Sequence, residues 1–332
     1  MLSIIRSKSI TLPDTPEEWL TQLHDSTVIE IKGKNTDQWR VISTLIHGNE
    51  PSGLLAVFRL LKQQLIPETN VAIIISSVRA ARHAPVFTQR FVPGEFDLNR
   101  RFGYFDCHDR VTELAKHITE YIRGLCPQFV ADLHNTSGNG PAFAVSISDH
   151  IDVRKMASLF TSEMVVTQLV VGSLMEQNFN CPIVTIECGG AKEVASHDTA
   201  YKGLISLVTE PDIFSMDPPD IHVICHPVRI KAHEGISLCY GMDKTDEVDI
   251  TLIPDIEKLN YQVTEAGTEL AWLDRSLRDC LTAINDHGEE VIEALFEIVN
   301  GRLTAKRNLR VFMATERADI ALSDCIFYAA IV

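Results

Sequence analysis

Three apolar runs constrain this chain most, because each stops at a residue suited to metal or proton chemistry and then turns through glycine. The first, Val41-Ile42-Ser43-Thr44-Leu45-Ile46, closes on His47-Gly48-Asn49-Glu50-Pro51-Ser52-Gly53. The second, Phe129-Val130-Ala131, leads into Asp132-Leu133-His134-Asn135 and the glycines Gly138 and Gly140; the third, Pro182-Ile183-Val184-Thr185-Ile186, delivers Glu187-Cys188-Gly189-Gly190. Short β-branched runs of this kind are predicted as buried strands. Leu54, Leu55, Val57, Phe58, Leu60 and Leu61, after Pro51, are predicted as a helix packed by one face. Strand and helix patterns alternate onward: strands at 40–46, 71–76, 128–133, 142–147, 164–171 and 183–187, helices at 52–65, 109–123 and 193–208. That alternation predicts a largely parallel α/β sheet covered on both faces. Ligands of such sheets gather at the carboxyl ends of the strands, where His47, His134 and Glu187 all stand.

Before this block lie a short helix at 17–23 and a strand at 27–32. After Met216-Asp217-Pro218-Pro219-Asp220 the pattern changes to short β-type runs at 222–231, 268–272, 295–299, 303–305 and 309–313, and Asn300-Gly301 is a two-residue hairpin turn. A length of 332 residues favours two domains. We place them at 1–212 and 213–332, the second β-rich.

Lys and Arg total 30 against 45 Asp and Glu, a formal charge of −15 that argues against a nucleic-acid partner. Eight cysteines are scattered without a Cys-x-x-Cys pair, and the start lacks the apolar core of a signal peptide. Both point to reduced thiols in a cytoplasm. No run approaches the ~20 apolar residues that cross a bilayer, so a soluble protein without a membrane partner is expected. Whether it forms a homo-oligomer is left open.

Imidazole nitrogen and carboxylate oxygen are normal zinc ligands, and a catalytic zinc site takes three protein ligands with one position open. His47 and Glu50 offer two, unless the turn is a surface loop with a solvated glutamate. His134 is the natural third, the alternative being a satisfied core histidine. Asp132 points to the same side of its strand as His134 and is placed to hold a ligand imidazole from behind. Glu187 is either a fourth ligand or a carboxylate standing off the metal to move protons. Arg79, Arg82 and Arg90 precede Phe96-Asp97-Leu98-Asn99-Arg100-Arg101. In an acidic chain such a cluster suggests carboxylate recognition, or else Arg100 and Arg101 pair with Asp97 or Glu95 and fix the loop. The remaining histidines lack ligand spacing, and Cys188 reads as a packed small residue. Gly138 and Gly140 either admit substrate to the backbone or make a tight turn.

His-Gly-Asn-Glu at 47–50, Asp-Leu-Asn-Arg at 97–100, Asp-Leu-His-Asn at 132–135 and Ile-Glu-Cys-Gly at 186–189, in this order, resemble the succinylglutamate desuccinylase/aspartoacylase family. The resemblance implies a zinc-carboxypeptidase-like fold, a mixed sheet covered by helices on both faces, with a smaller β-rich C-terminal domain. It also implies a zinc-dependent hydrolase cleaving the amide of a small N-acyl amino acid, with one zinc per chain on His47, Glu50 and His134. Glu187 would be the general base and acid, Arg90 would polarise the scissile carbonyl, and Asn99, Arg100 and Asn135 would meet the substrate. The same ligand set would serve a metallocarboxypeptidase acting on peptides, and a metal-binding module without turnover is the alternative from another class.

Three departures bear on specificity. Arg90 is separated from Asp97 by a longer loop than the family pattern. An arginine that precedes the catalytic glutamate in aspartoacylases falls here at Gln177, with none between Arg154 and Glu187. Where aspartoacylases offer a C-terminal tyrosine, this chain has Arg317, with Tyr328 further on. The expectation is a substrate with fewer carboxylates than N-acetylaspartate, or an arginine recruited from the second domain, Arg317.

Overall fold

The structure, a computed structural model, describes residues 2–285 and 287–332. It divides into two compact units, one comprising residues up to Asn135, Ala142–Met164 and Leu169–Val223, the other Thr136–Pro141, Val165–Gln168 and Ile224–Val332.

The first unit holds strands β1 (Leu2–Arg6), β2 (Ser26–Ile31), β3 (Asn35–Thr44), β4 (Thr69–Ile75), β6 (Phe143–Ser146) and β8 (Ile183–Gly190), the greater part of β5 (Val130–Thr136), and the first halves of β7 (Glu163–Val166) and β9 (His222–Cys225). They form one nine-stranded sheet in the order β1-β2-β4-β3-β5-β8-β6-β7-β9. The sheet is mixed rather than largely parallel. β3 runs parallel to β4 and β5, whereas β2 pairs antiparallel with β4 and β6 antiparallel with β8. β4, β5 and β8 are buried at every position, so both faces are covered and the strands read as continuous apolar runs.

The helices are α1 (Pro16–Gln22), α2 (Ser52–Gln63), α3 (Val78–Arg82), α4 (Arg110–Leu125), α5 (Ile151–Ser158) and α6 (Val194–Thr209). Asp109 starts α4 by accepting hydrogen bonds from the N–H groups of Val111 and Thr112, both at 3.0 Å. Cys126, left-handed at φ 46°, ends it before Pro127. The buried face of α4 (Val111, Ala115, Ile118, Ile122) packs on Val28, Val41, Ala72, Ile74 and Val130. The alternate strand positions Ile29, Ile42 and Ile73 are fully buried on the opposite face. There α2 comes close to the sheet through Gly53, where a Cβ would stand 1.9 Å from Thr44 Oγ1 and 3.0 Å from Leu133 Cβ.

Arg40, on β3, is buried to 1% exposure. Its guanidinium donates to Gln128 Oε1 at 3.0 Å, to Leu207 O and Glu210 O, both at 2.7 Å, and to Pro211 O at 3.0 Å. It thus satisfies a last-turn carbonyl of α6 and two carbonyls just beyond the helix, where a cation is favoured by the helix dipole, although burial lowers its pKa. Arg40→Ala is expected to lower unfolding free energy by about 3–5 kcal/mol, since buried carbonyls lose their donors and a cavity opens. Urea unfolding measures this; a loss no larger than about 0.5 kcal/mol, the scale of ordinary surface substitutions, would show the carbonyls are satisfied otherwise.

The second unit holds two five-stranded sheets around one apolar cluster that includes Ile230, Leu270, Phe296, Leu303, Val311 and Phe327. Apart from a parallel pair, Leu238–Tyr240 with Ile250–Leu252, the strand pairings are antiparallel. Asn300 and Gly301 (φ 52° and 79°) join Phe296–Val299 to Arg302–Ala305 as the predicted hairpin. The run at 222–231 is not one strand: His226 turns at φ 54° before Pro227, separating β9 from Val228–Ala232 in another sheet. Residues 136–141 are fixed within this unit. Asn139 N–H donates to Glu257 Oε2 at 3.0 Å, and Asn260 Nδ2 donates to Asn139 O at 2.8 Å. A Cβ on Gly138 would lie 2.3 Å from Ala314 O, so that glycine serves a close backbone approach. Among the described residues no helix is long and apolar enough to cross a membrane.

Candidate metal centre

β3 ends at Thr44, two residues short of the predicted strand end, because fully buried Leu45 takes a left-handed conformation at φ 54°. For a leucine that backbone costs roughly 1–3 kcal/mol and is held only by well-packed surroundings. The turn carries His47 and Glu50 off the sheet edge before α2 begins. Gly48 fits because a Cβ there would lie 2.5 Å from Ala81 N, and its N–H donates to Arg90 O at 2.8 Å.

His47 Nδ1 lies 2.8 Å from Glu50 Oε1, and His134 Nδ1 lies 2.7 Å from Glu50 Oε2. The three side chains are buried, and one donor atom from each lies within 4.8 Å of the others. The outer nitrogens are held as well: His47 Nε2 is 3.1 Å from Asp97 Oδ1, and His134 Nε2 is 2.7 Å from Asp132 Oδ2. Both imidazoles therefore present Nδ1 inward and are gripped from behind by a carboxylate, the arrangement that orients metal-ligating histidines. Asp132 follows from the alternation of its strand. Asp97 as the partner of His47 did not emerge from the sequence, since the two are fifty residues apart and Asp97 sits in an irregular loop; its place before Asn99-Arg100 was the available signal.

The electrostatics ask for a cation. Burial opposes ionisation of Asp97, yet His47, Arg90 and Arg100 hold its carboxyl well below the ordinary range. Glu50 is likewise buried, and the two histidines hold it low. Burial disfavours charge on His134, but Asp132 and Glu50 overcome this and raise its pKa well above the usual value. His47 is raised in the same way by Glu50 and Asp97, against burial and Arg90. Two inward nitrogens and a carboxylate backed by two further carboxylates suit a divalent ion. The residues present fit a metal.

Glu187 stands on β8, next to β5 in the sheet. Burial pushes its pKa up to about 7, with His134, Glu50, His47 and Arg90 as its charged neighbours. Its Oε2 is buried without a hydrogen-bond partner among the described residues. Arg90 Nε donates to Asp97 Oδ2 at 3.0 Å while Nη1 stands 3.6 Å from Glu50 Oε1. A divalent-metal donor set, an arginine and a buried carboxylate of high pKa thus share one cluster, with His134 and Glu187 inside β5 and β8 rather than beyond their ends.

Residues 40–204 match the model of the succinylglutamate desuccinylase/aspartoacylase catalytic domain. Over that span the chain belongs to the succinylglutamate desuccinylase/aspartoacylase family. Solved structures share the fold at low identity. The succinylglutamate desuccinylase of Chromobacterium violaceum is 14% identical, with 91% of this chain and 86% of that one covered and a TM-score of 0.54. A succinylglutamate desuccinylase/aspartoacylase from Rhodobacter sphaeroides is 13% identical, with 88% and 84% covered and a TM-score of 0.55. A mutant murine aminoacylase 3 is 14% identical, with 90% and 95% covered and a TM-score of 0.55. No curated protein matches the chain in sequence.

The other residues expected to act in this family's site are placed unevenly. Asn99 Oδ1 accepts from Leu174 N–H at 3.0 Å, and Arg100 Nη1 donates to Asn99 O at 3.0 Å. Gln177 lies against the same segment: a Cβ on Gly103 would be 3.2 Å from its Nε2. Arg79 is paired with Glu95 at 2.7 Å, and Arg101 stacks 3.6 Å from the Phe96 ring centroid with Asp109 at 3.9 Å. Arg317 belongs to the second unit, where Nε and Nη2 bind Asp319 at 3.2 and 2.6 Å. Tyr328, in the same unit, stacks on Phe312 at 5.5 Å. Asn135 differs from expectation. It is buried, and its amide is taken up by Ser52 and Gly189 rather than turned toward a substrate.

Proposed function

We propose that this chain is a zinc-dependent deacylase that hydrolyses the amide of a small N-acyl amino acid, with residues 1–212 as the catalytic domain and 213–332 as a β-rich companion. The observation that carries the reading is the His47–Glu50–His134 donor set, braced by Asp97 and Asp132, with Glu187 as a charged neighbour whose pKa is about 7. His47 Nδ1, Glu50 and His134 Nδ1 would hold one zinc. When bound, zinc supplies Lewis acidity to a carbonyl oxygen and to water at near-neutral pH.

The chain's own residues do the rest. Glu187 takes a proton from the attacking water and passes it to the departing nitrogen as the C–N bond breaks, leaving a carboxylate and an amine. Arg90, held by Asp97 and by the Gly48 hydrogen bond to its carbonyl, offers its guanidinium to the carbonyl oxygen as negative charge develops there. Arg100 and Asn99, whose Nδ2 has no partner among the described residues, grip the substrate carboxylate.

Specificity turns on Gln177. Its amide, whose Nε2 lies close to Gly103, can donate hydrogen bonds to a substrate but brings no charge, and a second buried carboxylate on the substrate would lack a cation there. Zinc-loaded protein offered a panel of N-acetyl, N-succinyl and neutral N-acyl amino acids is therefore expected to show higher kcat/KM for a monoanionic than for a dianionic substrate. Hydrolysis of peptides alone would replace this reading with a carboxypeptidase. Strong preference for the dianion, unchanged in Arg317→Ala, would remove both the Gln177 argument and the recruitment of Arg317.

A further inference from the structure

One side chain ties together the three segments that carry Glu50, His134 and Glu187. Asn135 Oδ1 accepts from Ser52 N–H at 3.0 Å. Ser52 is the first residue of α2, preceded at the cap position by Pro51, whose side chain caps nothing; Asn135 therefore satisfies an otherwise unpaired N–H of that helix end from a neighbouring strand. The Nδ2 group donates to Ser52 Oγ and to Gly189 O, both at 2.8 Å. Gly189 is two residues beyond Glu187 and has φ 102°. The backbone N–H of Asn135 also reaches Glu50 Oε2 at 3.3 Å. Ser52 Oγ continues to His197 Nδ1 at 2.8 Å, so the amide is set in a fixed network and has no freedom to turn. A planar amide with both ends bonded fixes distance and angle together, which a single hydrogen bond does not.

We infer that Asn135 is a positioning residue: its amide sets Glu50 for metal binding through Ser52 and sets Glu187 for proton transfer through Gly189. This rests on the metal-site reading above. The two ends of the amide give separable effects. Asn135→Ala removes all three side-chain bonds, while Asn135→Asp keeps an acceptor for Ser52 N–H, and can accept from Ser52 Oγ in place of donating to it, but cannot donate to Gly189 O.

The test is zinc affinity by chelator competition, the absorption spectrum of the cobalt-substituted protein, and kcat and KM for one N-acyl amino acid. For Asn135→Ala we expect zinc binding about 10- to 100-fold weaker, the usual effect of losing a group that orients a ligand, with a changed cobalt spectrum. For Asn135→Asp, the isosteric variant should the alanine protein fold poorly, we expect zinc affinity not below wild type but kcat reduced roughly 100-fold. KM should change little in either. If both variants bind zinc and turn over as wild type does, or if only KM rises, Asn135 is not a positioning residue and the inference fails. Wild-type protein that binds neither zinc nor cobalt would instead remove the metal-site reading beneath it.

Discussion

Glu187→Gln should retain metal and fold yet lose turnover by roughly 100- to 10,000-fold, the range over which a positioned acid–base group contributes. The amide matches the carboxylate in shape, and the buried Oε2 position makes no hydrogen bond among the described residues that the substitution would break. What it removes is proton affinity. In the wild type, burial raises the Glu187 pKa to about 7, and a base must be deprotonated to act, so kcat/KM should fall as pH drops through that pKa. A divalent cation beside the carboxylate favours its ionised form and moves the acid limb to or below about 7. Activity across pH 5 to 9 with zinc-saturated protein checks both statements, those pH values bracketing the raised pKa. Near wild-type turnover in Glu187→Gln would place the base elsewhere.

His134→Ala should abolish tight zinc binding. Two donors remain, and Glu50 Oε2 loses its 2.7 Å partner. The supporting carboxylates provide a scale: Asp132→Asn and Asp97→Asn, which weaken the grip on His134 Nε2 and His47 Nε2, should each cost about 10- to 100-fold in zinc affinity. The loss in His134→Ala should exceed both. Equilibrium dialysis against a competing chelator gives the order. Full and equally tight retention in His134→Ala would mean the ion sits on other residues.

Much of this site was legible because strands announce their ends. Val41 to Ile46 and Phe129 to Ala131 are apolar stretches that lead to a histidine, although β3 stops at Thr44 and β5 and β8 continue past His134 and Glu187 to Thr136 and Gly190; period-two alternation alone puts Asp132 on the side of His134. Contacts made by irregular loops were not. Asp97 reaches His47 from a loop without periodicity, and Asn135 beside a ligand reads as a substrate contact until its hydrogen bonds to Ser52 and Gly189 are seen. The sheet shows the same division. Helices α2 and α4 carry a one-sided apolar face, and α4 an Asp109 cap, whereas the antiparallel pairing of β2 with β4 depends on the path of the chain between them. In the C-terminal part, strands of three to five residues such as Leu238–Tyr240, Ile250–Leu252 and Leu281–Ile284 are too short for a period to register.

The anchoring of residues 136–141 has a consequence for how the protein is made. These residues begin two positions after His134, yet their partners Glu257, Asn260 and Ala314 are encoded more than a hundred positions later. A ribosome adding about 5–20 residues per second needs on the order of ten seconds to reach Ala314. Throughout that interval the strand bearing the ligand is followed by a loop whose fastening has not yet been synthesised. The order of synthesis therefore leaves residues 136–141 among the last parts of the chain to settle.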